Sequence, residues 1–206
     1  MNRSRKILTI IFVAAVVLLG GRVSFAQDAA RPAGSDASYE AMLYVVLGSN
    51  ESVAGAELPK SIAGVTRQLR DNFSFSNYRV LNTYVGRIAD NGSLEYKSVA
   101  SLQNAADREL DSPSFLEWTL ANLRSADSPA SGDQLVMQTF RFGARVPVRF
   151  TSVAEGGKSS SVVNYENVGL TVNKLGIERN SPTLIGTISL PRTTGTVFLV
   201  LAVRPV

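Results

Sequence analysis

The sequence predicts an α+β chain: an N-terminal β-α-β-β unit with one amphipathic helix, followed by a mainly antiparallel β sheet or sandwich. Three observations carry this expectation. Apolar residues recur at helical spacing from Leu58 to Phe73. From Tyr78 onward the period changes to that of strands and stays changed. Val, Thr and Phe then dominate runs separated by glycine, a composition that suits a pleated, half-buried surface.

Residues 1–26 read as a processing segment. Arg3, Arg5 and Lys6 precede an apolar run of 15 residues, Ile7 to Gly21, shorter than the roughly 20 residues a bilayer-spanning helix needs. Ser24-Phe25-Ala26 then places small residues at both key positions of a cleavage site before Gln27. The expectation is a secretory signal cut after Ala26 and a periplasmic or secreted mature protein with no integral membrane span. Residues 27–38, rich in Ala, Gly, Asp and Ser, read as a disordered lead-in.

The first strand is expected at Tyr39 to Leu47 (YEAMLYVVL). Leu58, Ile62, Val65, Leu69 and Phe73 follow at spacings of 4, 3, 4 and 4, one face of a helix whose first turn accommodates Pro59. Lys60, Arg67, Arg70 and Asp71 occupy its solvent side. Tyr78 to Ala89 reads as a strand, Asp90-Asn91-Gly92 as a tight turn, and Ser93 to Ser101 as the returning partner. Asn104 to Asp111 is polar and loop-like, and Phe115 to Leu123, around Trp118, suits a strand or a short helix, with strand the preferred reading. These elements make residues 39–124 an α+β unit. Ser125 to Asp133 (SADSPASGD) is the strongest internal break. Residues 134–206 then form a β-rich region with strands at Gln134 to Phe142, Ala144 to Thr151, Ser161 to Val172, Thr183 to Leu190 and Thr196 to Val203. Gly143, Gly156-Gly157, Gly176 and Gly195 separate these runs.

The 206 residues include no His and no Cys. That removes the imidazole base and ligand, the thiolate nucleophile, the disulfide and the zinc knuckle. Removing Arg3, Arg5, Lys6 and Arg22 from the 21 basic residues leaves 17, equal to the 17 acids. A neutral mature chain gives nucleic-acid binding no compositional support. Arg141, Arg145 and Arg149 form the one local basic cluster. Their odd numbering puts them on one strand face, as a solvated stripe or a site for an anionic partner.

Other chemistry is thinly supported. Gly157-Lys158-Ser159 has Ser152 where a phosphate loop requires glycine. Glu95, Glu117, Glu155 and Glu166 can hydrolyse a glycoside only if two of them converge. Ser159, Ser160 and Ser161 lie near Lys158 in a glycine-rich tip that lacks the burial needed to lower a lysine pKa. Asp90-Asn91-Gly92 lacks the remaining ligands of a calcium loop. Tyr78, Tyr84, Tyr96, Trp118 and Tyr165 can make a sugar-stacking platform, although burial is the ordinary place for such rings. Neither a cofactor nor a catalytic function is expected.

The segment Phe140-Arg-Phe-Gly-Ala-Arg-Val-Pro-Val148, a Gly/Ser-rich spacer, and Val163-Asn-Tyr-Glu-Asn-Val-Gly-Leu-Thr-Val172 together resemble the core of the secretin family. Secretins are the outer-membrane gate proteins of type II and type III secretion and of type IV pili. The matching positions are Gly143, Val146, Pro147, Val163, Tyr165, Asn167, Val168, Gly169, Leu170 and Val172. Thr196 to Val206 is similar to the closing secretin strand, and the β-α-β-β unit resembles the small ring-building domains that precede a secretin core. The resemblance covers roughly 70 residues. The family's gate segment is echoed only weakly by Leu184-Ile-Gly-Thr-Ile-Ser-Leu-Pro191, so pore formation is not implied. What the resemblance implies is a non-catalytic envelope protein that assembles with envelope or secretion machinery or with itself. Gly169 to Val172 is expected to pair with a Val146-Pro147-Val148 edge, since Pro147 suits an edge strand. A periplasmic ligand- or glycan-binding module is the alternative, and a carboxylate hydrolase comes third.

Overall fold

The two most apolar strands of the chain lie side by side. β1 (Ser38–Ser49) pairs antiparallel with β8 (Thr196–Pro205) from Tyr39↔Pro205 to Gly48↔Thr196. β2 (Asn77–Ala89) flanks β1 and β7 (Thr183–Ser189) flanks β8, giving a first sheet in the order β2-β1-β8-β7. Odd-numbered residues of β1 and β8, such as Leu43, Val45, Leu199 and Leu201, face a large shared core. The opposite face carries Tyr44, Val46, Phe198 and Val200 in a second cluster. Being covered on both faces explains why the sequences of β1 and β8 are continuously apolar rather than alternating.

The cover on that opposite face is the helix α1 (Ala63–Asn72), entered through a 3₁₀ turn at Lys60–Ile62. Ile62, Val65 and Leu69 are buried against the sheet, as their spacing predicts. The Tyr78 hydroxyl donates to the carbonyl oxygens of Leu69 at 2.9 Å and Phe73 at 3.1 Å, tying β2 to the helix end, where Leu69 O also accepts the Phe73 N–H.

Burial raises the Tyr78 and Tyr84 hydroxyls above their ordinary value near 10. The fold therefore holds the neutral phenol, so this contribution is complete below the unfolded pKa and is lost as pH rises through the folded value. Urea unfolding should show stability declining above about pH 10, with a shallower decline in Tyr84→Phe. A slope that Tyr84→Phe leaves unchanged would contradict the assignment.

The second sheet has the order β3-β4-β5-β6, built from β3 (Gly92–Ala100), β4 (Ser114–Ser125), β5 (Gln134–Val153) and β6 (Ser159–Glu178). Leu116, Trp118, Leu120, Phe140 and Phe142 line its inner face and share the large core with the first sheet. Along the two seams of this sandwich a leucine of the second sheet rests on a glycine of the first. A β-carbon at Gly86 would stand 2.6 Å from Leu94, and one at Gly186 would stand 3.0 Å from Leu170. Each edge strand of the first sheet also carries a register shift, opposite Val45/Val46 in β2 and between Leu184 and Gly186 in β7. Such bulges increase local twist.

A second irregularity runs across three strands. Inward residues proceed as Trp118, Leu120, then Leu123 in β4; Leu135, Met137, then Phe140 in β5; and Leu170, Val172, then Leu175 in β6. The slip falls in one row, Asn122–Gln138–Lys174, where Asn122 (φ 52°) and Lys174 (φ 55°) take left-handed backbone. The Asn122 amide donates to the Gln138 side-chain oxygen. Because all three strands slip together, the β4–β5 and β5–β6 registers continue unshifted through it.

The computed structural model describes residues 37–51, 58–100, 102, 112–126, 133–153, 159–191 and 195–206. The expected signal, the lead-in before Ala37, the Asn104 to Asp111 loop, the middle of the Ser125 to Asp133 break and the Gly156-Gly157-Lys158 tip lie outside them. The described residues belong to one compact unit, Ser35–Val206, and the fold is mostly antiparallel β with a single short helix. No helix among them is long and apolar enough to cross a membrane.

Several expectations are corrected. β2 and β3 do turn through Asp90-Asn91-Gly92 but form no ladder with each other. β2 joins the first sheet and β3 the second. The turn's amides are taken from outside, Asp90 donating to Ala37 O at 2.9 Å and Asn91 to Leu123 O at 2.7 Å. Gly143 and Gly176 do not end strands: β5 and β6 run through them as 20-residue strands. Each sheet takes two strands from residues 39–124 and two from 134–206, so both stretches are woven through the same sandwich.

Candidate functional site

The two halves of the secretin-like segment are brought together. β5 and β6 pair from Gln134↔Glu178 to Val153↔Ser159, one long hairpin. Gly143 opposes Gly169, Arg145 opposes Asn167, Val146 opposes Glu166 and Pro147 opposes Tyr165. Val168 opposes Ala144, Leu170 opposes Phe142, Val163 opposes Arg149 and Val172 opposes Phe140. The expected pairing of Gly169–Val172 with Val146–Val148 is corrected: Gly169–Val172 meets Phe140–Gly143, and Val146–Val148 meets Asn164–Glu166.

Within the sheet β5 is a central strand, and Pro147 is a buried residue of it beyond the end of its described pairing with β4. The β4–β5 register stops at Phe115↔Arg145, and residues 146–153 pair with β6 in eight further pairs. Among the described residues the β4 ladder ends before position 147, a place where a proline is tolerated. Val146 and Val148 are still buried, but the next inward-facing pair, Phe150 and Val162, is 45% and 53% exposed.

The outer face of the second sheet carries the basic stripe. Arg141 and Arg145 are exposed and Arg149 is half-buried, while Phe140, Phe142 and Ala144 point inward. The Arg145 guanidinium lies over two rings, 5.9 Å from the centre of Phe115 on β4 and 5.5 Å from that of Tyr165 on β6. The rings themselves are 5.8 Å apart. Beside this cluster, Gly143 and Gly169 leave the sheet surface without side chains. A β-carbon at Gly169 would stand 2.4 Å from Phe142 O and 3.2 Å from Gly143 Cα, and one at Gly143 would stand 3.3 Å from Glu117 Cγ. The bare patch floors a cavity of about 540 Å³, walled by Lys97, Val99, Phe115, Glu117, Arg145 and Asn167.

The proposed platform of rings is dispersed. Tyr78 belongs to the cluster under α1, while Tyr84, Tyr96 and Trp118 belong to the sandwich core. Tyr165 alone joins the outer face. The carboxylates are divided between the two faces of the second sheet. Glu95 is bound to Lys97 at 2.8 Å, and that hydrogen bond holds it below its usual range. Glu117 shares the outer face, Glu166 has the parity of the inner face, and Glu155 lies outside the described residues. Among the described residues no group of three or more acidic side chains is placed to hold a metal ion.

Lys97, Val99, Phe115 and Glu117 were not legible as cavity residues in the sequence. Their odd numbers in alternating strands mark them as outward-facing, but nothing local tells which rows of β3 and β4 stand beside Gly143. No family model, curated protein or solved structure matches the chain.

Proposed function

We propose that this is an exported, non-catalytic envelope protein with a secretin-like β region, which assembles with itself or with envelope machinery through the β5–β6 hairpin. The observation that carries the reading is the hairpin's far end. Eight residue pairs extend past the start of β4, about 27 Å at the rise of a strand. Among the described residues β6 is the last strand of its sheet, so one margin of the hairpin is a sheet edge along its length. Main-chain groups along the β6 margin are thus placed for strand addition by a partner. The exposed Phe150–Val162 pair supplies an apolar contact at the same place.

Native mass measurement, in solution and in detergent, tests the proposal. The wild type should run as an oligomer or capture an envelope partner. Phe150→Glu combined with Val162→Glu should weaken that association by about tenfold or more, with an unchanged circular dichroism spectrum. A wild type that remains a monomer in both media and captures no envelope component would overturn it.

A further inference from the structure

We infer that the cavity over Gly143 and Gly169 binds a free α-amino acid with an apolar side chain, a role separate from assembly through the hairpin. Among the described residues Arg145 makes no ion pair. Its contacts are the faces of Phe115 and Tyr165, which fix the guanidinium while leaving N–H donors for a carboxylate. Glu117 on the adjacent strand stands opposite Lys97 and feels its charge, but the short contact of Lys97 is with Glu95 at 2.8 Å, so no close ion pair holds the Glu117 carboxylate. The two opposite charges are diagonal neighbours at the glycine floor, and the Glu117 side chain lies over Gly143. Glu117 faces Gly143 across the ladder, and Arg145 is two residues further along β5, about 7 Å. An amino acid that lays its carboxylate on the Arg145 guanidinium would turn its ammonium toward the neighbouring Glu117. Val99, 65% exposed, and Phe115, 41% exposed, give the side chain an apolar wall. A phosphate or a dicarboxylate is disfavoured, because Glu117 would face a second negative group.

The volume of about 540 Å³ lies within the usual range for small-ligand sites. Its openness to solvent screens both charges, so an affinity of about 1 mM is expected. Titration calorimetry of the protein with phenylalanine, N-acetylphenylalanine and phenylalaninamide tests the inference, with amide NMR shifts locating the site. Phenylalanine should bind saturably, and each derivative, lacking one of the two charges, should bind about tenfold more weakly or worse. Arg145→Met and Glu117→Gln should each reproduce that loss while leaving the thermal midpoint unchanged, and Gly143→Val should fill the floor. Absence of saturable phenylalanine binding would overturn the assignment. So would undiminished binding by either derivative, by Arg145→Met or by Glu117→Gln. None of these outcomes depends on whether the hairpin assembles, since the variants lie away from Phe150 and Val162.

Discussion

Trp118→Ala is expected to destabilise the protein by about 3–5 kcal/mol, a large part of the about 5–15 kcal/mol that holds a domain together. Trp118 is 0% exposed on β4 and stacks on Tyr96 with ring centres 6.3 Å apart, with Phe140 also at 6.3 Å. Tyr96 in turn packs on Tyr84 at 4.9 Å, so the indole joins β5 and β3 of the second sheet to β2 of the first. Truncation removes that volume from a place bounded by strands on both sides, where collapse is restricted. The indole Nε1 adds a diagnostic detail: it is buried with no hydrogen-bond acceptor among the described residues. Trp118→Phe therefore removes an unpaired donor along with part of the ring, and the first effect offsets the second. Urea unfolding should place Trp118→Phe within about 1.5 kcal/mol of wild type, far above Trp118→Ala. Equal losses for the two variants would show that volume at this position is not what matters.

Gly169→Ala and Gly176→Ala make the second pair of measurements, two identical changes in one strand with opposite expectations. At Gly169 the new β-carbon meets the backbone oxygen of Phe142 at 2.4 Å. Neither group can rotate away, so β5 and β6 must part or shift, at an expected cost of about 2–3 kcal/mol. At Gly176 the nearest atom is the flexible Gln134 side-chain oxygen at 4.0 Å. Alanine there loses less backbone freedom on folding than glycine and should be neutral or stabilising by about 0.5 kcal/mol. Thermal or urea unfolding of both variants decides the matter. If Gly169→Ala proves as mild as Gly176→Ala, the close approach of Gly143 and Gly169 is not a feature of the folded protein.

The contrast between these glycines also measures how far the sequence could be read. Gly143 and Gly176 looked alike as punctuation between β-like runs, because composition records only that a side chain is missing. In the fold Gly143 lies under Glu117 and beside Gly169, whereas Gly176 lies in open space, and both are inside strands. The Asp90-Asn91-Gly92 turn was equally clear, and its geometry is present, with Asn91 at φ 59°. Its ladder is absent because β2 and β3 each have a better partner, β1 and β4. For the candidate site, the stripe of Arg141 and Arg145 followed from parity alone. Its neighbours Phe115, Glu117 and Lys97 did not, since they arrive from other strands.

What the sequence determined by itself is therefore local: the strands, the single helix with Val65 and Leu69 inward, and which side of β5 faces solvent. Each follows from a repeat of two or of about 3.6 residues, a property of adjacent residues that needs no knowledge of the partner. What only the tertiary structure decided is adjacency: β1 beside β8, β2 parted from β3, Gly143 against Gly169, and Arg145 between Phe115 and Tyr165. Those pairings join residues far apart in the chain, and burial selects among them by which apolar faces close on one another. The hydrophobic effect driving that choice is non-directional, so alternation along a strand names its buried face without naming its neighbour.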